Sequence, residues 1–159
     1  NPGMVETEGA HAGGFTTGPA PLVEFLRQRS RTTLFSNALP PAVTASSLEA
    51  FRMLMEDPTP VQRVRANAAH FRTRMTEAGF TIPKGVHPIV PVIVGDTAKA
   101  LAMSAALFEK GVYVSGFGYP VVPQGHARLR CQISATHSTA DLDEAVDAFK
   151  AVGKEFGVI

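Results

Sequence analysis

Apolar residues in this chain recur first at helical and then at strand spacing. Leu48, Phe51 and Met55 fall at steps of three and four, with Leu54 widening the stripe, and predict an amphipathic helix over 41–56. Asp57-Pro58-Thr59-Pro60 ends it, because proline cannot supply the helical N–H. Val61, Val64, Ala68, Phe71 and Met75 predict a second helix, with Arg63, Arg65, Arg72 and Arg74 off the stripe and Gly79 as its stop. Two successive helices of this kind are expected to pack together, each burying its stripe against the other or against a neighbouring body.

The pattern then changes. Ile89-Val90-Pro91-Val92-Ile93-Val94 is a β-branched run, hence a largely buried strand, and Pro91 assigns it to an edge or a bulge. Asp96 is placed to cap a helix running to Lys110, with Leu101, Ala105 and Phe108 inward and Gly111 ending it. Val112-Tyr113-Val114 predicts a second short strand, followed by a loop from Ser115 to Gly125 whose path is fixed by Gly116, Gly118, Pro120, Pro123 and Gly125. From Arg128 to Ser134, Leu129, Cys131 and Ile133 alternate with Arg128, Arg130, Gln132 and Ser134, the period-two signature of a half-buried strand. Ser138 and Asp141 have capping-box spacing, and Leu142, Ala145, Val146, Phe149, Val152 and Phe156 line one face of a last helix. The order strand, helix, strand, strand, helix predicts an α/β unit, a small sheet with helices packed on it. Strand direction stays open.

The first forty residues differ. Gly9, Gly13, Gly14 and Gly18 alternate with small residues, Phe15-Thr16-Thr17 suits a short strand, and Pro19 and Pro21 introduce a brief helix containing Leu22, Val23, Phe25 and Leu26. With so little apolar mass of its own, this segment reads as an arm that packs on something else. Asn1-Pro2-Gly3 reads as an expression remnant before Met4.

Totals narrow the class. The chain has 159 residues, 45% hydrophobic and 18% charged, as in ordinary globular proteins. A net charge of +1 provides no field to draw it to nucleic acid or anionic lipid. No apolar run approaches the roughly 20 residues a membrane span needs, and no secretory signal opens the chain. Cys131 stands alone, which excludes an intrachain disulfide and fits a reducing compartment, cytoplasmic or mitochondrial.

Few constellations suggest chemistry. Arg128 and Arg130 share a strand face, where a guanidinium fork can bind a carboxylate through two parallel hydrogen bonds. From the residues alone, a solvated sheet face is the plainer explanation. Ser36 and Asn37 precede the Pro40-Pro41 helix start, where a hydroxyl and N–H groups can meet a phosphate, although ordinary capping is the plainer explanation from spacing alone. Arg27, Arg29 and Arg31 read as a solvated helix face, and His137 as a structural residue of a strand-to-helix turn. His11, His70, His87 and His126 have no metal-ligand spacing with one another or with Cys131. The glycines miss the dinucleotide-loop spacing, and no nucleophile elbow is present. The residues alone reach an α/β domain with a candidate anion site.

Several segments carry a resemblance. Gly13-Gly14-Phe15-Thr16-Thr17-Gly18, Leu26-Arg27-Gln28-Arg29-Ser30-Arg31, Leu34 to Pro41, Gly116 to Gly125 and Ala127 to His137 resemble the C-terminal part of the α-oxoamine synthases. These are fold-type I pyridoxal-phosphate enzymes. Tyr119-Pro120-Val121-Val122-Pro123 and Gln132-Ile133-Ser134 look most like their glycine C-acetyltransferase (2-amino-3-ketobutyrate CoA ligase) branch. The likeness runs from about Gly9 to Ile159.

The resemblance implies a homodimer acting on glycine and acetyl-CoA, in which Arg130 binds the substrate carboxylate and Ser36 reaches the cofactor phosphate of the partner subunit. It also implies a domain plan: a remnant and divergent start at 1–8, an arm of the large cofactor-binding domain at 9–40, a helical connector at 41–78 and a small α/β domain at 79–159. Such chemistry needs a lysine to form a Schiff base. The matching position is Glu6, within Val5-Glu6-Thr7-Glu8, and a carboxylate cannot form an imine. The expectation is therefore a chain inactive alone, without a catalytic residue and without bound pyridoxal phosphate. The alternatives are an interaction module that pairs with itself or a full-length subunit, or part of another α-oxoamine synthase such as 5-aminolevulinate or 8-amino-7-oxononanoate synthase.

Overall fold

A computed structural model describes residues 16–35 and 38–159, which fall into two compact units divided between Asp57 and Pro58. The first unit contains α1 (Ala20–Arg29), α2 (Arg31–Phe35) and α3 (Pro41–Glu56). Prolines stand at the starts of α1 and α3, where a missing N–H leaves no helical bond unmade. Thr16 and Thr17 do not form the expected strand, and Phe15 lies outside the described residues. No residue of these three helices is buried. Phe25, Leu34, Phe35, Leu48, Met53 and Met55 are all exposed, so most of the stripe read on 41–56 is left uncovered among the described residues of this unit, while Phe51 is half-buried. Arg52 pairs with Glu49 and Glu56 on α3's polar side, exposed ion pairs that solvent screens.

The second unit contains α4 (Thr59–Glu77), β1 (Ile89–Gly95), α5 (Thr97–Glu109), β2 (Ser115–Phe117), β3 (Ala127–Gln132) and α6 (Thr139–Glu155). The sheet order is β1-β3-β2, and both pairings are antiparallel. β1 is an edge strand, as Pro91 requires, and its register slips between Ile93 and Gly95. Thr81 covers part of its outer edge by accepting from the Ile93 N–H at 3.0 Å. The second strand lies at 115–117, not at 112–114. The earlier residues have other partners: the Val112 N–H bonds to the Leu107 carbonyl at the end of α5, and the Val114 carbonyl accepts the Ser104 hydroxyl at 2.6 Å.

Helix ends follow the predicted chemistry. The Asp96 carboxylate accepts the Lys99 N–H at 2.7 Å, and Ser138 and Asp141 form a reciprocal capping box. Asp141 is held below the usual carboxylate range, chiefly by the Ser138 N–H. Gly79 and Gly111 take positive φ just past α4 and α5, where a side chain would be strained.

One face of the sheet carries the helices. Val90 and Val92 of β1 and Leu129 and Cys131 of β3 join Phe71 and Met75 of α4, Met103 and Leu107 of α5, and Val146 and Phe149 of α6 in one core. On α5 the inward face is Ala100, Met103 and Leu107, not the expected Leu101, Ala105 and Phe108, which are exposed. The later part of the α4 stripe, Ala68, Phe71 and Met75, is thus buried within this unit, on α6 and β1. Phe149 is fully buried and meets Phe71 and Phe80 edge-on, with centroids 6.2 and 5.8 Å apart. Its burial contributes about 2–3 kcal/mol. At the rim, His70 and Arg74 of α4 both reach Asp143 of α6, at 2.9 and 3.1 Å, and the His70 contact is the main cause of that carboxyl's lowered pKa. Arg72 donates to the carbonyls of Pro83, His87 and Ile89 and so fixes the connection into β1, while its Nε is buried without a partner.

Gly153, buried near the end of α6, admits the Phe80 ring: a Cβ there would stand 2.6 Å from Phe80 Cζ. Gly153→Ala would gain about 1 kcal/mol of helix propensity but overpack a buried ring at a cost of about 1–3 kcal/mol. The expected net result is a lower urea midpoint than wild type; a raised midpoint would show that Phe80 yields without cost.

Candidate functional site

Alternation along β3 separates packing from chemistry. Ala127, Leu129 and Cys131 are buried under the helices, whereas Arg128 and Arg130 are half-buried and Gln132 is exposed on the opposite face. Burial pushes the Cys131 thiol up to about 12, which leaves it an inert core residue. Register places Ile93 and Phe117 beside Arg128, and Pro91 and Ser115 beside Arg130. The face turned away from α4, α5 and α6 is therefore floored by Pro91, Ile93 and Phe117, with two guanidinium groups rising from it.

The two arginines are held differently. Arg128 Nε donates to the His126 carbonyl at 3.1 Å and so braces the turn that leads into its own strand. Arg130 carries its guanidinium carbon 5.9 Å from the centroid of the Phe117 ring, at the outer limit of a cation–π contact. The geometry thus distinguishes two residues that the sequence pattern treats alike. Arg128 turns back to the backbone of its own turn, and one of Arg130's contacts is an aromatic ring.

Phe117 was not singled out by the sequence reading, although its flanks carried a signal. Gly116 and Gly118 alternate with it, so the glycines share one face and the ring takes the other. A Cβ on Gly116 would lie 3.2 Å from the Ala100 carbonyl, and one on Gly118 would lie 2.1 Å from Thr97 Cγ2. Bare backbone is what lets this strand lie against the first turns of α5. The Thr97 hydroxyl also accepts the Tyr119 N–H at 3.3 Å.

A cleft of about 540 Å³ opens beside the start of β2, lined by Lys110, Tyr113, Ser115, Arg130, Gln132 and His137 among others. His137 faces a structural task there, as expected: its Nδ1 accepts the Ser134 N–H at 3.2 Å, and the Asn67 amide donates to the carbonyls of both Ser134 and His137. Among the described residues no group of His, Cys, Asp and Glu side chains is arranged to hold a metal ion, and no helix is long and apolar enough to cross a membrane. Ser36 and Glu6 lie outside the described residues.

Comparison with known proteins places this geometry in context. The family "Aminotransferase class I and II" matches residues 9–149. A human mitochondrial 2-amino-3-ketobutyrate coenzyme A ligase is 50% identical over 151 residues, which are 95% of this chain and 36% of that protein. An 8-amino-7-oxononanoate synthase from Symbiobacterium thermophilum is 44% identical over 147 residues, 92% of this chain and 38% of the relative. A solved serine palmitoyltransferase from S. paucimobilis, with a bound PLP–myriocin aldimine, superposes with a TM-score of 0.80 at 32% identity, covering 94% of this chain and 38% of that one. The chain spans a little over a third of the length of the relatives it matches. With the family matched across most of its residues and its antiparallel sheet and helices shared with a pyridoxal-phosphate enzyme, this chain belongs to the aminotransferase class I and II family, on its α-oxoamine synthase branch.

Proposed function

We propose that this chain is the C-terminal part of a pyridoxal-phosphate-dependent acyltransferase that interconverts glycine plus acetyl-CoA and 2-amino-3-ketobutyrate plus CoA, with Arg130 as the group that binds the substrate carboxylate. The observation that carries this reading is the placement of Arg130, half-buried on the sheet face turned away from α4, α5 and α6, beside an aromatic ring. A guanidinium there is partly desolvated, which strengthens its attraction for a carboxylate, and its planar fork matches the two oxygens. The Tyr119 to Pro123 segment supports acetyl-CoA as the acyl donor over the longer donors used elsewhere on the branch. Ser36, by the same reading, reaches the cofactor phosphate of a partner subunit in a homodimer.

The residues present do not suit covalent attachment of pyridoxal phosphate, which when bound supplies an electron sink for amino-acid chemistry. The lysines are Lys84, Lys99, Lys110, Lys150 and Lys154. Lys99, Lys150 and Lys154 lie in α5 and α6, the helices on the face opposite Arg130, Lys110 follows α5 and lines the same cleft as Arg130, and Lys84 is in the connection before β1. Glu6 takes the position that the resemblance gives to the Schiff-base lysine. Accordingly the chain alone binds carboxylate but does not catalyse acyl transfer.

A second reading, a non-catalytic module that pairs with itself or with a full-length subunit, is favoured by one observation: α1, α2 and α3 bury none of their residues while exposing Phe25, Phe35, Leu48 and Met55. An apolar surface of that kind is expected to seek cover.

Three measurements separate these readings. Treatment with one equivalent of pyridoxal phosphate and then borohydride should leave no single lysine stoichiometrically modified by mass spectrometry; full incorporation at one lysine would overturn the inactivity. Glycine, added to chain labelled with ¹⁵N-arginine, should move the Arg130 side-chain signals, while methylamine, which lacks a carboxylate, should not. Arg130→Met should abolish the glycine response at Phe117 and Ser115, and its survival would remove Arg130 from the role. Sedimentation at rising concentration tests the module: a dimer that forms with glycine binding absent favours it, and a monomer at all concentrations rejects self-pairing.

A further inference from the structure

We infer that the cleft beside the start of β2 binds a free α-amino acid with an apolar side chain, a role separate from that proposed for Arg130. One wall is the end of α5 and the segment leading into β2; the other is β3 with the first turns of α6. Its volume of about 540 Å³ lies in the range of small-molecule sites and exceeds what glycine would fill. Val112, Ile133 and Ala145 line it and are each only half-buried, and the buried rings of Phe71 and Phe149 also reach it. An apolar side chain seated there would remove the rest of that surface from water.

The polar rim decides the kind of ligand. Lys110 stands on one wall and Glu144 on the other, and among the described residues neither has an ion-pair partner. Asp141 also lines the cleft, but its carboxylate accepts the Ser138 N–H at 2.8 Å in the capping box. His137 adds a donor: its Nδ1 accepts the Ser134 N–H at 3.2 Å, so in the neutral ring Nε2 carries the proton. An anion would meet Glu144 and Asp141, and a cation would meet Lys110. A zwitterion satisfies both signs, its carboxylate toward Lys110 and His137 and its ammonium toward Glu144. Arg130 and Gln132 also line the cleft, but each has interactions of its own, and the site does not call on them.

Both walls are braced. The Val112 N–H bonds to the Leu107 carbonyl at 2.9 Å, and the Ser104 hydroxyl to the Val114 carbonyl at 2.6 Å. Across the cleft, the Asn67 amide holds the carbonyls of Ser134 and His137. A ligand therefore enters a formed cleft and need not order the backbone around it. Lys110 and Glu144 are both exposed, so affinity is expected on the order of millimolar.

The test titrates the 159-residue chain with L-leucine, read by NMR at the amides of Val112, Tyr113 and Ala145. Isocaproate lacks the ammonium group, isoamylamine lacks the carboxylate and glycine lacks the side chain. Leucine should shift these signals, and each of the three should bind at least about threefold more weakly. Lys110→Met and Glu144→Gln, both at exposed positions, should each weaken leucine about threefold to fivefold. Lys110→Arg should bind it within about twofold of wild type, and Lys110→Met should leave the glycine response at Phe117 unchanged. If leucine shifts nothing, or isocaproate or isoamylamine binds as tightly, the cleft does not recognise a zwitterion and the inference fails. If Lys110→Met also abolishes the glycine response at Phe117, the cleft has no role of its own, and the inference falls while the carboxylate reading stands.

Discussion

The central strand β3 is paired on both sides but covered by helices on only one face, and that asymmetry governs the second unit. Because side chains alternate, its odd-numbered residues are drawn into the core and its even-numbered ones are kept out. Leu129 and Cys131 commit the strand to one orientation, since a slip of one residue would place two guanidinium groups under α5 and α6. Hydrophobic burial thus decides where the arginines face. The carboxylate-binding geometry proposed here is a consequence of core packing, not a separate device.

Close backbone approach is the second constraint, and three glycines permit it. Gly116 and Gly118 let an edge strand lie flush on α5, while Gly153 lets the Phe80 ring press into α6. Each omits a side chain so that a neighbour can occupy the volume, which is how interiors reach crystalline packing density. The first pair has a consequence on the far face, because it fixes the strand that carries Phe117. Packing behind the sheet and orientation in front of it are therefore linked through three residues of β2 and its flank.

Much of this architecture was legible from periodicity. The α4 and α6 stripes, the Asp96 cap, the Ser138 capping box, the edge position of Pro91 and the alternation of β3 were all anticipated, because each rests on local spacing or local hydrogen bonding. The second strand was misplaced by three residues since Val112-Tyr113-Val114 has strong β-propensity, yet its polar backbone groups are claimed by Leu107 and Ser104 of α5. Propensity cannot foresee such a partner. The α3 stripe was read correctly as amphipathic, but an amphipathic stripe says that a helix needs cover without saying what supplies it.

By itself the sequence determined the elements, the two faces of β3 and the pair of arginines as the chemical candidates, and the motifs around them pointed to the family that the comparisons established. Only the tertiary structure separated Arg128 from Arg130. Residues two apart on a strand are equivalent by periodicity, whereas Arg128 turns back to the His126 carbonyl beside it and the Phe117 ring, brought from another strand, lies near the Arg130 guanidinium. Local sequence fixes which face a side chain takes; what it meets there depends on chain segments brought alongside by folding.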